Sequence, residues 1–214
     1  MALLSENMEN SMLLTKDNSQ KDHKKILDSL FASGSRVALL RIFLLDPSRA
    51  HYQRQLELVT GLALRALQRE LERLTEIGLL HKWNEGNRVY YQIDPDFLLY
   101  PELRSLMLKC SNNLDRLRAT LATEPTIRLA FFNIGTETCL AIVSDNSEPI
   151  LPVFSPIKLE FLQVSQFRKF IRSNSETLAP FLIDGVDLLG RYDDVLWRYI
   201  QQAGYNVPKG DGVP

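Results

Sequence analysis

Residues 51–94 read HYQRQLELVTGLALRALQRELERLTEIGLLHKWNEGNRVYYQID, and their pattern predicts two short helices followed by a β-hairpin. Tyr52 and Leu56 share one face of a first helix that stops at Gly61. A second helical pattern follows and ends at Gly78. Its predicted inward positions are Leu64, Leu67, Leu71, Leu74 and Ile77. Two helices joined by a tight turn that contains glycine are typical of a helix-turn-helix.

A hairpin is predicted next because aromatic and β-branched residues flank a turn. Residues 79–83 and 88–93 are the two strand segments, and Asn-Glu-Gly-Asn at 84–87 is the turn. Upstream, apolar spacing predicts two helices between residues 24 and 45, the second with Ser35 as its N-cap. Helices, helix-turn-helix and hairpin in this order indicate a winged helix.

Three segments carry a family resemblance: SRVALLRIFL (35–44), QLELVTGLALRALQRELERLTEIGLL (55–80) and EGNRVYYQI (85–93). In this order they resemble winged-helix transcriptional regulators of the arsenical-resistance-repressor type, over about Leu30 to Leu108. The resemblance implies a dimeric regulator that places the second helix of its motif in the major groove of DNA.

The predicted fold class is α+β, an N-terminal winged helix followed by a small α/β domain. One continuous helix is predicted from Pro101 to Leu121, where the resembled family commonly has its dimer interface. Strand-like runs and then helices follow Pro125, including a helix capped by Ser165 and a last helix over about 193–203. The predicted segments are a flexible tail (1–20), a winged-helix DNA-binding domain (21–100), a linking or dimerisation helix (101–124), the small α/β domain (125–205) and a disordered tail (206–214).

Composition and charge narrow the class of protein. The 214 residues are 45% hydrophobic and 24% charged, which excludes collagen-like and wholly disordered chains. Residues 21–118 hold 16 basic and 12 acidic side chains, a net charge of +4, and the remainder has a net charge of −5. A basic N-terminal block favours a nucleic-acid-binding module. Because neither a long apolar run nor a signal peptide is present, a cytoplasmic protein is expected.

Nine side chains are candidates for DNA contact. Arg65 and Arg69 share one helix face, and arginine can bind guanine O6 and N7 with two hydrogen bonds, as Gln68 can bind adenine. Hairpin residues are expected at phosphates or the minor groove, and the start of the first helix can hold phosphate. The candidates are Arg49, Arg54, Arg65, Gln68, Arg69, Arg73, Lys82, Asn87 and Arg88. The alternative is a solvated helix on which Glu70 and Glu72 offset the arginines.

No metal ion or other cofactor is expected. A thiolate metal sensor needs closely spaced cysteines, whereas Cys110 and Cys139 lie in different predicted domains. Both are predicted to be small buried residues. An acidic group is predicted to be a solvated loop and comprises Asp184, Asp187, Asp193 and Asp194.

The C-terminal run IRLAFFNIGTET, CLAIVSD and IKLEFLQVSQFRKFIRSN is similar to small nucleotidyltransferase domains. Those domains carry a Gly-Ser turn after the first strand and an Asp-x-Asp pair on the second, which hold phosphates and Mg²⁺. Here residues 133–136 read Asn-Ile-Gly-Thr, the second strand has no such pair, and Glu160 is a lone carboxylate. The resemblance therefore implies a degenerate domain that senses, binds or dimerises without enzyme activity.

The sequence thus predicts a cytoplasmic, homodimeric, sequence-specific transcriptional regulator that binds double-stranded DNA. Helix 63–77 is expected to read the major groove, and the wing over 82–92 the backbone or minor groove. Regulation is expected through an effector or protein partner at the C-terminal domain, with no membrane association. Two alternatives stay open: a toxin–antitoxin-like or nucleotidyl-transfer component whose C-terminal domain binds a partner or nucleotide, and a winged helix that binds protein instead of DNA.

Overall fold

The computed structural model describes residues 23, 25–173, 175–210 and 213, and the chain is of mixed α+β class. Its first part is mainly helical with a three-stranded sheet, and its second part contains a four-stranded sheet. The predicted tail over 1–20 lies outside the described residues. Within the described part of the chain, none of the helices is long and apolar enough to cross a bilayer.

Helices and a small antiparallel sheet form the first part. The helices are α1 (residues 25–31), α2 (Gly34–Leu45), α3 (Gln53–Thr60), α4 (Leu64–Glu76) and α5 (Tyr100–Lys109). The strands are β1 (His51–Tyr52), β2 (Leu80–Glu85) and β3 (Arg88–Ile93), in the order β1-β3-β2. The predicted helix pair and hairpin are confirmed, whereas β1 was not predicted because a two-residue strand leaves no periodic signal.

Helix boundaries in this part follow from local backbone chemistry. Gly61 adopts the left-handed conformation (φ 63°) at the end of α3, which suits a residue without Cβ. The N-cap of α2 is Ser33, whose hydroxyl accepts the Arg36 N–H at 3.2 Å. The predicted cap at Ser35 is therefore wrong, and Ser35 lies inside the first turn.

A single hydrophobic core holds the first part together. It is built from one face of each of the helices α1 to α5 and from the inner side of the small sheet. Its fully buried side chains include Leu27, Leu39, Leu40, Phe43, Leu44, Leu56, Leu67, Leu71, Ile93 and Met107. Because α4 contributes to this core, its outer face is held on a packed support.

The second part combines helices with a mixed sheet. The helices are α6 (Asn113–Thr123), α7 (Val164–Arg172), α8 (Ala179–Leu182) and α9 (Val195–Gln202). The strands are β4 (Ile127–Asn133), β5 (Thr138–Val143), β6 (Lys158–Gln163) and β7 (Gly185–Asp187), in the order β6-β5-β4-β7. Strands β5 and β6 are parallel, and the other neighbouring pairs are antiparallel.

Alternating side chains of β4 and β5 enter two different cores. Leu129 and Phe131 pack with α7, α8 and α9, whereas Ala130 and Phe132 pack with α6 and the segment after β7. Successive residues of a strand point to opposite faces, so a sheet covered on both sides has strands that are apolar throughout. This explains why all six residues of β5 are buried.

The predicted continuous helix from Pro101 to Leu121 is wrong. It is broken between Lys109 and Asn113, where Asn112 accepts the Asp115 N–H at 2.7 Å and so begins α6. Asparagine is favoured at N-caps over helix interiors because its side chain competes for backbone hydrogen bonds. The break separates α5, which packs in the first core, from α6, which packs on the second sheet.

Three further expectations for the second part need correction. The N-cap of α7 is Gln163, not Ser165, because Gln166 accepts the Gln163 N–H at 3.4 Å. Strand β7 lies in the segment predicted as a solvated acidic loop. Residues 206–210, predicted to be disordered, instead pack beside β7: the Asp187 N–H donates to the Pro208 carbonyl at 2.8 Å.

Candidate nucleic-acid interface

The outer face of α4 carries the first group of predicted contact residues. Leu67, Leu71 and Leu74 are buried in the first core, as predicted, which leaves the opposite side of the helix in solvent. Two predicted inward positions are wrong, since Leu64 is 43% exposed and Ile77 is 60% exposed. They lie at the two ends of the helix, where the core no longer covers it.

Glu70 fixes α4 against the start of α2. Its side chain is 1% exposed and accepts hydrogen bonds from Arg36 Nε at 2.9 Å and from the Ser33 hydroxyl at 3.3 Å. The interpretation of Glu70 as a solvated charge is therefore wrong. A buried carboxylate bonded to two groups of α2 restrains rotation of α4 about its own axis. The sequence gives no sign of this role, because these partners lie more than thirty positions away.

Arg65, Gln68 and Arg69 lie exposed on the N-terminal half of α4. Among the described residues, no ion pair or hydrogen bond engages any of these three side chains. The exposed carboxylates of the helix, Glu72 and Glu76, lie in its C-terminal half. The unpaired positive charge is thus concentrated at one end of the helix, together with an amide that can both donate and accept hydrogen bonds.

The hairpin brings a second group of predicted residues to the surface. Lys82 on β2 and Arg88 on β3 are exposed, and Asn87 lies exposed in the turn between them. The Arg88 guanidinium lies 4.8 Å from the centroid of the Tyr52 ring. A cation–π contact of this kind holds a long side chain without neutralising its charge.

Arg54 and Arg73 occupy intermediate positions. Arg54 is exposed in the first turn of α3. The Arg73 side chain is 53% exposed, but its Nη1 lies 3.4 Å from Glu70 Oε1. Part of the Arg73 charge is therefore balanced within the protein.

Arg49 has a different environment from the other eight candidates. Its Nη1 and Nη2 donate to the carbonyl oxygens of Leu189 and Gly190, both at 2.7 Å. Gly190 has φ 62°, and a Cβ there would lie 2.7 Å from Arg49 Nη1, so a glycine is required for this approach. The guanidinium thus connects the segment before β1 to the loop after β7.

A buried carboxylate shapes the loop that receives Arg49. Asp187 is fully buried and accepts the backbone N–H groups of Leu189 at 3.0 Å and Gly190 at 2.8 Å. Burial raises the pKa of Asp187, while hydrogen bonds from Leu189, Tyr192 and Gly190 lower it. Asp187 was predicted to lie in a solvated loop, and that prediction is wrong because its carboxylate supplies the acceptors for this turn.

The junction between the two parts contains further paired charges. Arg191 donates to the carbonyls of Ala122, at 2.9 Å, and Ile127, and Arg128 pairs with Asp194 at 2.8 Å. A cleft of about 810 Å³ lies beside these groups. The Asp194 carboxylate also accepts the Leu196 N–H and so caps α9. The prediction that Asp194 lies in a solvated loop is therefore wrong as well.

The cysteines and histidines do not gather into a ligand set. Within the described residues, no three side chains of His, Cys, Asp or Glu are grouped as metal ligands. Cys139 is buried, as predicted, and burial raises the pKa of its thiol to about 12. Cys110 is half-buried, short of the predicted burial.

The turn between β4 and β5 is closed by its own asparagine. The Asn133 side chain donates to the Pro180 carbonyl at 2.6 Å and accepts the Thr136 N–H at 3.0 Å. Strand β5 reads TCLAIV and carries no carboxylate, and Glu160 is exposed on β6. The Thr136 N–H of this turn is thus bonded within the protein.

Comparisons with protein-family models, curated proteins and solved structures find no match to this chain.

Proposed function

We propose that the chain is a sequence-specific, DNA-binding transcriptional regulator whose first part acts as a winged helix. The observation that carries the proposal is the exposed, unpaired set Arg65, Gln68 and Arg69 on a helix that Glu70 holds in position. Helix α4 then serves as the recognition helix, and the β2–β3 hairpin serves as the wing.

Base readout is assigned to the N-terminal half of α4. In helix-turn-helix proteins this end of the recognition helix contacts base edges. Arginine forms two hydrogen bonds to guanine and glutamine two to adenine, and Arg65, Arg69 and Gln68 supply these groups. Because they are not committed to protein partners in the described structure, no internal interaction must be broken before they bind.

Backbone contacts are assigned to the wing and to α3. Lys82, Asn87 and Arg88 are the wing residues, and Arg54 lies at the start of α3. Contacts to phosphate position a protein on the duplex without reading its sequence. Arg49 is left out of the proposed surface because two carbonyl oxygens already hold its guanidinium.

The remaining features of the proposal follow from symmetry and chemistry. One recognition helix reads few base pairs, so we propose a homodimer that binds two half-sites. We propose a regulatory role for the second part and no catalysis, supported by the apolar β5 and the self-bonded Asn133 turn. A cytoplasmic setting belongs to the same proposal.

Selection of duplex DNA from a random pool, followed by fluorescence anisotropy, tests this function. We expect a palindromic site to be enriched, and Arg65→Ala/Arg69→Ala to bind it at least about thirtyfold more weakly, since each of the two lost contacts contributes roughly 1–3 kcal/mol. Lys82→Ala should weaken binding to all sequences and reduce its salt dependence.

Arg198→Ala is the matched control, because Arg198 is an exposed arginine on α9, outside the proposed surface. It should bind the selected site within twofold of wild type. If no sequence is enriched, or if the double variant and the control lose affinity equally, the proposed function is rejected.

A further inference from the structure

A groove of about 640 Å³ lies between α5 and α6, on either side of the break in the predicted continuous helix. Its charged lining consists of Arg104 and Lys109 from α5 and Arg116 from α6, and none of its lining residues is acidic. Tyr100 adds a hydroxyl group at the same groove, whereas the Thr123 hydroxyl already donates to the Ala119 carbonyl at 3.0 Å. The groove therefore presents three positive charges and several hydrogen-bond donors.

These three cations have no counter-charge in the described structure. No ion pair within the described residues involves Arg104, Lys109 or Arg116. Arg104 is half-buried and donates from Nη2 to the Ala119 carbonyl at 3.4 Å, whereas its buried Nε meets no acceptor among the described residues. A buried donor without an acceptor costs free energy, and a guanidinium that reorients towards an anionic ligand would gain an acceptor.

The junction cleft provides an internal comparison. It is also lined by three arginines, but Arg49 and Arg191 donate to backbone carbonyls and Arg128 pairs with Asp194. Those arginines connect parts of the protein to each other. In the α5–α6 groove, Lys109 and Arg116 have no such partner among the described residues, and Arg104 has only the 3.4 Å bond to the Ala119 carbonyl, so these cations are available to a molecule from solution.

We propose that the α5–α6 groove binds a phosphorylated small molecule, with affinity that rises with the number of phosphate groups. Arginine matches phosphate oxygens with two parallel hydrogen bonds, and lysine binds them as a point charge. Burial raises the pKa of Tyr100 while the charge of Arg104 lowers it, and the phenol stays a donor at neutral pH. Pro101 and Leu108 give the groove an apolar wall, which suits the non-phosphate part of the ligand.

Phosphate bound here would join two helices that pack in different cores. Helix α5 belongs to the core of the first part, and α6 packs on the second sheet. Occupancy would therefore favour one arrangement of the two parts. Binding at the groove goes beyond the proposed function and does not depend on it.

Isothermal titration of the full chain with inorganic phosphate, pyrophosphate, tripolyphosphate and ATP tests the inference. We expect binding that tightens from phosphate to tripolyphosphate, and a Kd raised at least tenfold in Lys109→Gln/Arg116→Gln. Both of these side chains are exposed, so this variant keeps the fold. Arg104→Gln should raise the Kd as well, and thermal unfolding checks that it is folded. Arg198→Gln is the control and should bind like wild type.

Three outcomes would overturn the inference: no binding of any probe at millimolar concentration, equal weakening in Arg198→Gln, or no dependence on phosphate number. Duplex DNA is the other source of phosphate. If Lys109→Gln/Arg116→Gln weakens duplex binding while no small phosphate binds, the groove contacts DNA and the inference is wrong. Because Arg65 and Arg69 remain in every groove variant, failure here leaves the test of the proposed function unaffected.

Discussion

Arg49 and Arg65 are sixteen positions apart and belong to the same basic stretch of sequence, but the fold surrounds them differently. The Arg49 guanidinium donates two hydrogen bonds of 2.7 Å to the loop after β7. Arg65 is exposed on α4 and has no partner among the described residues. One arginine therefore stabilises the protein, whereas the other is available to a ligand.

The same distinction applies to the carboxylates of α4. Glu70 is buried and bonded to Arg36 and Ser33, whereas Glu72, two positions later, is exposed. Residue type and helical spacing do not separate these cases. The number of hydrogen-bond and ion-pair partners that the fold supplies does separate them. Variants at partnered and at exposed positions test whether that number predicts the effect of a substitution.

Replacement of Glu70 should have the largest effect on stability. Glu70→Ala removes the acceptor for the Arg36 guanidinium and the Ser33 hydroxyl, both part-buried in the native state. Truncating one member of a buried charge pair is strongly destabilising, so we expect a loss of about 3 kcal/mol in the free energy of unfolding, measured by urea denaturation.

Glu72→Ala is the matched control and should change stability by less than about 0.5 kcal/mol, as surface substitutions usually do. Equal losses of unfolding free energy in the two variants would show that the Arg36–Glu70 pair does not hold α4. The number of partners would then not distinguish Glu70 from Glu72.

Arg49→Ala should have an intermediate effect on stability and none on DNA binding. It leaves the carbonyls of Leu189 and Gly190 without their donors, and hydrogen bonds to a charged group contribute roughly 1.5–3 kcal/mol each. Because the cleft is open to water, we expect a total loss of about 2 kcal/mol. Affinity for the selected duplex should stay within twofold of wild type when measured well below the melting temperature.

Arg54→Ala provides the comparison, since Arg54 is exposed three residues after His51. Its stability should match wild type while its duplex affinity falls. The reverse pattern, with Arg49→Ala weakening DNA binding at unchanged stability, would place Arg49 on the DNA surface and invalidate the argument from its partners.

Local signals made the helices α3 and α4 and the hairpin predictable. Apolar residues recur at helical spacing, Gly61 ends α3, and the hairpin strands contain residues that favour β-structure. Exposure of Arg65, Gln68 and Arg69 was also predictable, because the buried leucines of α4 determine its outer face.

Long-range contacts explain what the sequence could not predict. The two carbonyls that hold Arg49 lie about 140 positions further along the chain, and no local pattern links them. Asp187 was placed in a solvated loop because aspartates beside glycine are typical of turns, whereas it is the last residue of strand β7, pairs with Phe131 of β4 and is fully buried. The α5–α6 groove depends on a helix break at Asn112 that the apolar periodicity concealed.

His51 permits the most sensitive test, because it is buried only two residues after Arg49. It is 1% exposed, packs edge-on against Phe43 with ring centroids 5.5 Å apart, and neither ring nitrogen has a partner among the described residues. Burial, followed by the charges of Arg49 and Arg118, lowers the pKa of His51 to about 3. The native protein therefore holds a neutral imidazole, whereas the unfolded chain binds a proton near pH 6.5.

The sign of the pH dependence follows from this difference. Above about pH 6.5 both states carry a neutral His51, and the linkage term vanishes. As the pH falls from 6.5 towards 3, the unfolded state takes up a proton that the native state refuses, so stability declines. Between pH 7.5 and 5.5 the decline from this one group is about 1 kcal/mol.

His51→Phe should remove that decline, so the free energy of unfolding of the variant minus that of wild type should rise by about 1 kcal/mol as the pH is lowered from 7.5 to 5.5. The measured quantity is the change in this free-energy difference between the two pH values, so a packing cost of the larger ring that does not depend on pH cancels. His81→Phe is the control, because the His81 side chain is exposed, and its difference should not rise as the pH is lowered. If the difference for His51→Phe does not change with pH, water or a carboxylate reaches the imidazole, and burial beside Arg49 does not keep His51 neutral.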